Sequence, residues 1–280
     1  MEIILAIFFG AIVGLSLGLT GGGGSIFAVP LLVYGIGMSP VQAVPVSLIT
    51  VAITALLGVR RTIKDQLFVW QPAIIFAAGG IFGAPLGVTF SRQIDEYWII
   101  LGFAILAIIV GSFMWKTASK NPATATVVRA RIFNIKDDDP VCRLTPSGEL
   151  RFSGPCAVVL ALVGLCTGIL SGLFGVGGGF LIVPALVGIT RMGIHRAVAT
   201  SLGIITVIGF SGAAGALWHS GIMWGILFPF IAGGAVGMMS GQSLAVRLTG
   251  ATLQKVFACI IVLVGTGMLT HMAWTMSRHT

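Results

Sequence analysis

Gly18-Leu19-Thr20-Gly21-Gly22-Gly23-Gly24-Ser25-Ile26-Phe27-Ala28-Val29-Pro30 returns 154 residues later as Gly172-Leu173-Phe174-Gly175-Val176-Gly177-Gly178-Gly179-Phe180-Leu181-Ile182-Val183-Pro184. The offset holds without a gap through Met38/Met192, Ala43/Ala197, Ser47/Ser201, Gly58/Gly212 and Trp70/Trp224. It continues through Phe76/Phe230, Gly83/Gly237, Gly87/Gly241, Phe103/Phe257 and Met114/Met268. A half-chain repeat in an apolar protein is the build of many secondary transporters, whose binding site lies where the two repeats meet.

The 280 residues are 56% hydrophobic and 9% charged, against about 25% charged in soluble domains. Apolar runs at 42–59, 68–90, 96–115, 197–217, 222–246 and 252–274 approach or exceed the ~20 residues that cross a bilayer as a helix. They do not alternate, which excludes the strand pattern of a membrane β-barrel. The N-terminus, Met1-Glu2-Ile3-Ile4-Leu5, has no basic leader region and reads as the start of a first membrane segment. The four cysteines (Cys142, Cys156, Cys166, Cys259) lack CxxC spacing, and neither a disulfide framework nor a zinc site is expected. The net charge of +8 lies in loops, where membrane orientation accounts for it without nucleic acid.

Residues 3–19 can form a helix, but Thr20 to Ser25 is too rich in glycine to continue it, at about 1 kcal/mol per Gly against Ala. The next apolar piece, Ile26 to Gly35, contains Pro30 and reaches only ~15 Å as a helix. Residues 155–173 and 180–189 repeat this pattern. The expected fold is an all-α polytopic membrane protein of two homologous repeats. Each is a Gly-broken helical hairpin plus three transmembrane helices, with the first repeat over 1–115, a loop over 116–154 and the second repeat over 155–280. Within the loop, Pro146-Ser147-Gly148 predicts a small hairpin, and Asp137-Asp138-Asp139 reads as a solvated acidic turn rather than a metal site.

Charge placement selects the topology. With eight plain spans, Arg92, Arg191, Arg196, Arg247 and Lys255 oppose the other basic residues. If each Gly hairpin returns to the side it came from, the second repeat is inverted, and all sixteen Lys and Arg except Arg92 and Arg278 share one side. The positive-inside rule favours the second arrangement, with the central loop cytoplasmic and both termini outside.

Non-helical backbone at membrane depth needs a cavity, water or ligand to satisfy its polar groups. Glycine permits such turns, and a run of amides opening a short helix is an anion site. The candidate substrate-binding residues are therefore Gly21, Gly22, Gly23, Gly24, Ser25, Ser47, Thr50, Gly175, Gly177, Gly178, Gly179, Thr200 and Ser201. Thr206 is a further hydroxyl nearby, although buried hydroxyls in helices often bond back to their own turn. Gly79, Gly83, Gly87, Gly233, Gly237 and Gly241, four residues apart, read as a packing stripe. All eight acids (Glu2, Asp65, Asp95, Glu96, Asp137, Asp138, Asp139, Glu149) lie at ends or in loops, which disfavours a carboxylate-driven cation exchanger and suits an anionic substrate. No nucleophile–base pair or metal cluster in the spans points to an enzyme. No cofactor is implied, and a Walker-type phosphate loop is missing its Lys-Ser/Thr.

The doubled pattern Gly-x-Gly-Gly-Gly/Ser-x-x-x-Val-Pro, followed by Ala-Val-x-x-Ser-Leu, resembles the TauE/SafE sulfite-exporter family. It stands here as Gly21 to Ser25, Val29-Pro30 and Ala43-Val44-Pro45-Val46-Ser47-Leu48. The second copy is Gly175 to Gly179, Val183-Pro184 and Ala197-Val198-Ala199-Thr200-Ser201-Leu202. The resemblance covers nearly the whole chain outside the central loop. It implies a multi-pass protein of a prokaryotic inner membrane, in which the orientation expected from the charges makes the central loop cytoplasmic and the termini periplasmic. It also implies export of a small sulfur oxyanion, such as sulfite or an organosulfonate, with proton or sodium coupling open and the oligomeric state unassigned. Two features depart from the pattern: Val46 stands where the second copy has Thr200, and the 116–151 insert is long. A membrane scaffold that docks partners through this basic loop is the alternative. Trp70 and Trp224 read as interfacial belt residues, Cys166 as a buried apolar thiol, and His195 with Arg196 as topology determinants near a cytoplasmic mouth.

Overall fold

The computed structural model describes residues 2–120, 143–144, 150–151, 154–190, 192–217 and 223–245, together with 259, 262, 263, 265–267, 269 and 270. Among the described residues the continuous helical segments are α1 (Glu2–Thr20), α2 (Gly23–Gly35), α3 (Pro40–Lys64), α4 (Trp70–Ser91), α5 (Glu96–Lys120), α6 (Gly154–Phe174), α7 (Gly179–Thr190), α8 (Ile194–Leu217) and α9 (Trp224–Ala245). Six of them (α1, α3, α4, α6, α8, α9) are long and apolar enough to cross a membrane. The apolar part of α5, Tyr97–Ser112, is shorter, and most of the expected 252–274 span lies outside the described residues. In the central loop β1 (Arg143–Leu144) pairs antiparallel with β2 (Leu150–Arg151), as turn chemistry at Pro146-Ser147-Gly148 predicts. Asp137 to Asp139 lie outside the described residues.

Helix α1 stops at Thr20 for a local reason. The Thr20 hydroxyl donates to the Ser16 carbonyl at 2.7 Å and accepts the Gly23 amide at 2.9 Å, closing the last turn. Gly21 then takes φ +71°, a left-handed conformation costing other residues about 1–2 kcal/mol. The chain turns back on itself: Gly24 lies against Val13 and Leu17 of α1, and Gly35 against the Phe9 ring. Helix α2 is irregular, starting as a 3-10 turn (Gly23–Phe27) and ending as a π segment (Leu31–Gly35) after Pro30, whose ring removes an amide donor. The second break is built differently, with Gly175, Gly177 and Gly178 all at positive φ, before the regular α7.

Two triplets of parallel helices form the body. Gly10, Gly14 and Gly18 of α1 meet Phe230, Gly234 and Met238 of α9 in rising order, so these helices run the same way. Thr54 lies at Gly234 and Gly58 at Met238, which places α3 parallel to α9. In the other triplet Gly164, Gly168 and Gly172 of α6 meet Phe76, Gly80 and Ala84 of α4, and Gly212 of α8 meets Ala84. The triplets join along α3 and α8, which run antiparallel, with Gly58 at Leu202 and Gly209 and Gly212 at Leu48. The middle helix of each triplet comes from the opposite half of the chain.

The glycine stripe does what its spacing predicts. A Cβ at Gly79, Gly83 or Gly87 would strike the α6 backbone, and one at Gly233, Gly237 or Gly241 would strike α1. Where lipid removes the hydrophobic drive between helices, such close backbone approach supplies the van der Waals contact. Trp70 and Trp224 are 58% and 57% exposed, as belt residues would be. Two cysteine expectations fail. Cys166 is exposed on α6 rather than buried, and Cys156 is disulfide-bonded. Neither is readable from spacing, because pairing and helix rotation are set by tertiary contacts.

Candidate functional site

The two Gly breaks meet in the interior. Gly22 and Gly179 face each other so closely that a Cβ on Gly179 would fall 2.5 Å from the Gly22 Cα. Gly21 to Gly24 and Gly175 to Gly179 are all buried, as are Ser25, Ser47, Thr50, Thr200 and Ser201. Every one of the thirteen candidate residues therefore belongs to the interior, and most surround this crossing.

The hydroxyls tie each break to the opposite half of the chain. Ser47 of α3 donates to the Gly175 carbonyl at 2.7 Å, and Ser201 of α8 donates to the Gly21 carbonyl while also approaching the Val198 carbonyl at 2.8 Å. These two bonds are each other shifted by 154 residues. Both satisfy carbonyls that a left-handed glycine turn leaves without a helical partner. Ser25 donates to the Gly22 carbonyl at 2.8 Å and braces its own turn. Thr200 accepts the Val69 amide at 3.2 Å, so it fastens the α3–α4 connection rather than the crossing. Thr206 bonds back to Leu202, the ordinary outcome for a hydroxyl in a membrane helix.

Two buried hydroxyls do not follow that habit. Among the described residues, Thr50 Oγ1 and Ser171 Oγ are enclosed and make no hydrogen bond. An unmet buried donor costs about 1–3 kcal/mol. Thr50 was among the sequence candidates. Ser171 was not, because its counterpart in the first repeat is Leu17, and the repeat comparison that singled out Ser47 and Ser201 passes over it. It sits beside the break, with Gly178 against its Cβ. Replacing Thr50 with valine, or Ser171 with alanine, is expected to leave the unliganded melting temperature equal or higher while reducing the shift produced by substrate. A lower unliganded melting temperature would mean that the hydroxyl is bonded in the fold and would remove it from the site.

Beside the crossing lies a cavity of about 360 Å³ between α2, the start of α3, the end of α4, and α5. Val29 and Val44 form its inner wall and lie against Gly175. It was not foreseen from sequence, since its lining comes from six separate segments. His195 and Arg196 are exposed at the start of α8, apart from this cavity. Among the described residues no group of three metal-ligating side chains comes together.

The family profile "Sulfite exporter TauE/SafE" matches residues 6–268. The chain belongs to this family. It is 35% identical over 276 residues to a "Probable membrane transporter protein" of Xylella fastidiosa strain Temecula1, covering 94% of this chain and 93% of that protein. A "Probable membrane transporter protein YunE" of Bacillus subtilis is 25% identical, covering 95% of this chain and 96% of the relative. A "Probable membrane transporter protein MJ0441" of Methanocaldococcus jannaschii is 30% identical over 74% of this chain and 70% of the relative. No solved structure matches. With its apolar spans, this family member is a membrane transporter that handles a small substrate within a lipid bilayer.

Proposed function

We propose that this transporter exports a small sulfur oxyanion, sulfite or an organosulfonate, bound between the two Gly-rich breaks. The observation that carries the reading is the reciprocal crossing, in which Ser47 holds Gly175 and Ser201 holds Gly21 around the Gly22–Gly179 contact. The Gly179 and Phe180 amides precede the first bonds of α7, which Leu181 and Ile182 make to the Gly178 carbonyl, and they open at this crossing. Together with the unmet hydroxyl of Ser171 beside Gly178, they are donors able to replace an anion's water, and the unmet Thr50 hydroxyl adds a further donor on α3, the helix that carries Ser47. Among the described helices the carboxylates, Glu2 of α1 and Glu96 of α5, stand at helix starts, and none lies in the interior of a span to repel a negative charge. Sulfur and the outward direction come from the family's description.

Two inverted repeats, 1–115 and 155–280, supply the mechanism. Support comes from helix direction. α3 and its 154-residue counterpart α8 are antiparallel, while α1 follows α9 and α6 follows α4. Alternating access then works through equivalent closures on opposite faces. Val44 and Val29 lie over Gly175 on one side, and Val198 lies over Gly21 on the other. Rocking one triplet against the other along α3 and α8 opens one closure as the second shuts.

A thermal screen tests the substrate class, because a ligand that binds only the folded state raises its melting temperature. Sulfite and methanesulfonate are expected to stabilise the purified protein, by about 2.7 kcal/mol at a hundred times Kd, and sulfate and acetate to do less. A larger shift with acetate than with either sulfur anion would overturn the sulfur assignment.

A further inference from the structure

The cavity beside Gly175 has a composition that a bare oxyanion does not explain. Its volume of about 360 Å³ falls in the range of small-molecule pockets, ~300–1,000 Å³. Its walls are almost wholly apolar, with Val33, Val88, Ile99 and Phe103 typical of them, and Arg92 is the one charged residue among its lining. Tyr34 and Ser91 add hydroxyls near the rim. A four-atom anion would leave most of this surface against water.

Arg92 is also the basic residue that membrane orientation fails to explain. Apart from Arg278 near the C-terminus, it alone opposes the positive-inside pattern. It caps the C-terminus of α4, where a cation suits the helix dipole, and it is exposed at the cavity mouth. We propose that the cavity is a binding site for an organic monoanion carrying a hydrocarbon tail of about four to eight carbons. The tail lies between α2 and α5, and the anionic head lies at Arg92. Head-group charge matters at this site more than head-group identity, because a guanidinium at a rim pairs with carboxylate and sulfonate alike. The inner wall of Val29 and Val44 against Gly175 makes the cavity an antechamber to the crossing. Occupancy itself does not depend on the transport reading and is measured by binding alone.

The test is calorimetric titration of the full chain in phosphatidylcholine nanodiscs, with protein-free discs subtracted for partition. Affinity is expected to rise about fourfold per methylene from butanesulfonate to hexanesulfonate, the factor expected for a buried CH₂. Hexanoate should bind within threefold of hexanesulfonate, and hexanol and sulfite at least tenfold more weakly at this site. Arg92→Gln should lower hexanesulfonate affinity about tenfold, and Arg92→Lys should restore most of it. Val33→Trp should abolish binding by filling the cavity. If that variant fails to fold, the exposed Arg92 pair still decides. Flat chain-length dependence, or equal affinity in Arg92→Gln, would overturn the proposal. Loss of hexanesulfonate binding in phosphatidylglycerol discs would also overturn it, by assigning the cavity to an anionic lipid. Sulfite flux without chain-dependent binding would defeat this inference and leave the transport reading standing. Tail-dependent binding with no flux of any sulfur anion would do the reverse.

Discussion

Gly179→Leu is expected to reduce substrate flux in proteoliposomes at least a hundredfold. Any Cβ at this position falls on the Gly22 backbone, which has no rotamer to yield, and lies as close to the Ile205 side chain, at 2.6 Å. The two breaks must then separate, carrying Gly21 away from Ser201 and Gly175 away from Ser47. Overpacking of this kind costs about 1–3 kcal/mol, so folded protein should still be recovered at lower yield. Gly188→Ala supplies the control. It lies on the same short helix, a Cβ there meets nothing within 4 Å, and flux should match wild type. Undiminished flux in Gly179→Leu would remove the crossing from the mechanism. Equal loss in Gly188→Ala would show only that α7 tolerates no change.

The second large effect is all-or-none. On a background without the four native thiols, Thr280→Cys should label fully from outside the cell, and Ser119→Cys should remain unmodified. Helix α2 returns along α1, and if each Gly break returns its chain in this way, every Lys and Arg but Arg92 and Arg278 falls on one side. The disulfide at Cys156 pulls the other way. It lies at the start of α6, on the end that follows the basic loop, and disulfides persist in oxidising compartments. Labelling at 119 with protection at 280 would reverse the orientation in favour of the disulfide. Identical behaviour at both positions would mean an even number of crossings between them and would end the inverted-repeat reading.

Much of the local architecture was legible in the residues. The breaks at Thr20 and Phe174 fall where glycine makes helix continuation costly, and α3, α4, α8 and α9 cover apolar runs of spanning length. The stripe from Gly79 to Gly87 announced close packing because four-residue spacing places small residues on one helix face. The doubled motif also identified Ser47 and Ser201 as equivalent, and both turn out to hold a break.

Sequence alone thus determined the membrane class, the approximate extent of α3, α4, α8 and α9, the two glycine breaks and which residues correspond across the 154-residue offset. These are local or statistical properties, set by propensity, apolar length and repetition. Only the tertiary structure decided which segments touch. A glycine stripe fits any other smooth helix face, so nothing local says that α1 takes α9 as partner, or that Ser47 reaches Gly175 instead of its own half. The same holds for the exposure of Cys166, the unmet hydroxyl of Ser171 and the cavity at Arg92. Each depends on how a helix is rotated against neighbours far away in the chain, a degree of freedom that periodicity leaves open and backbone contact closes.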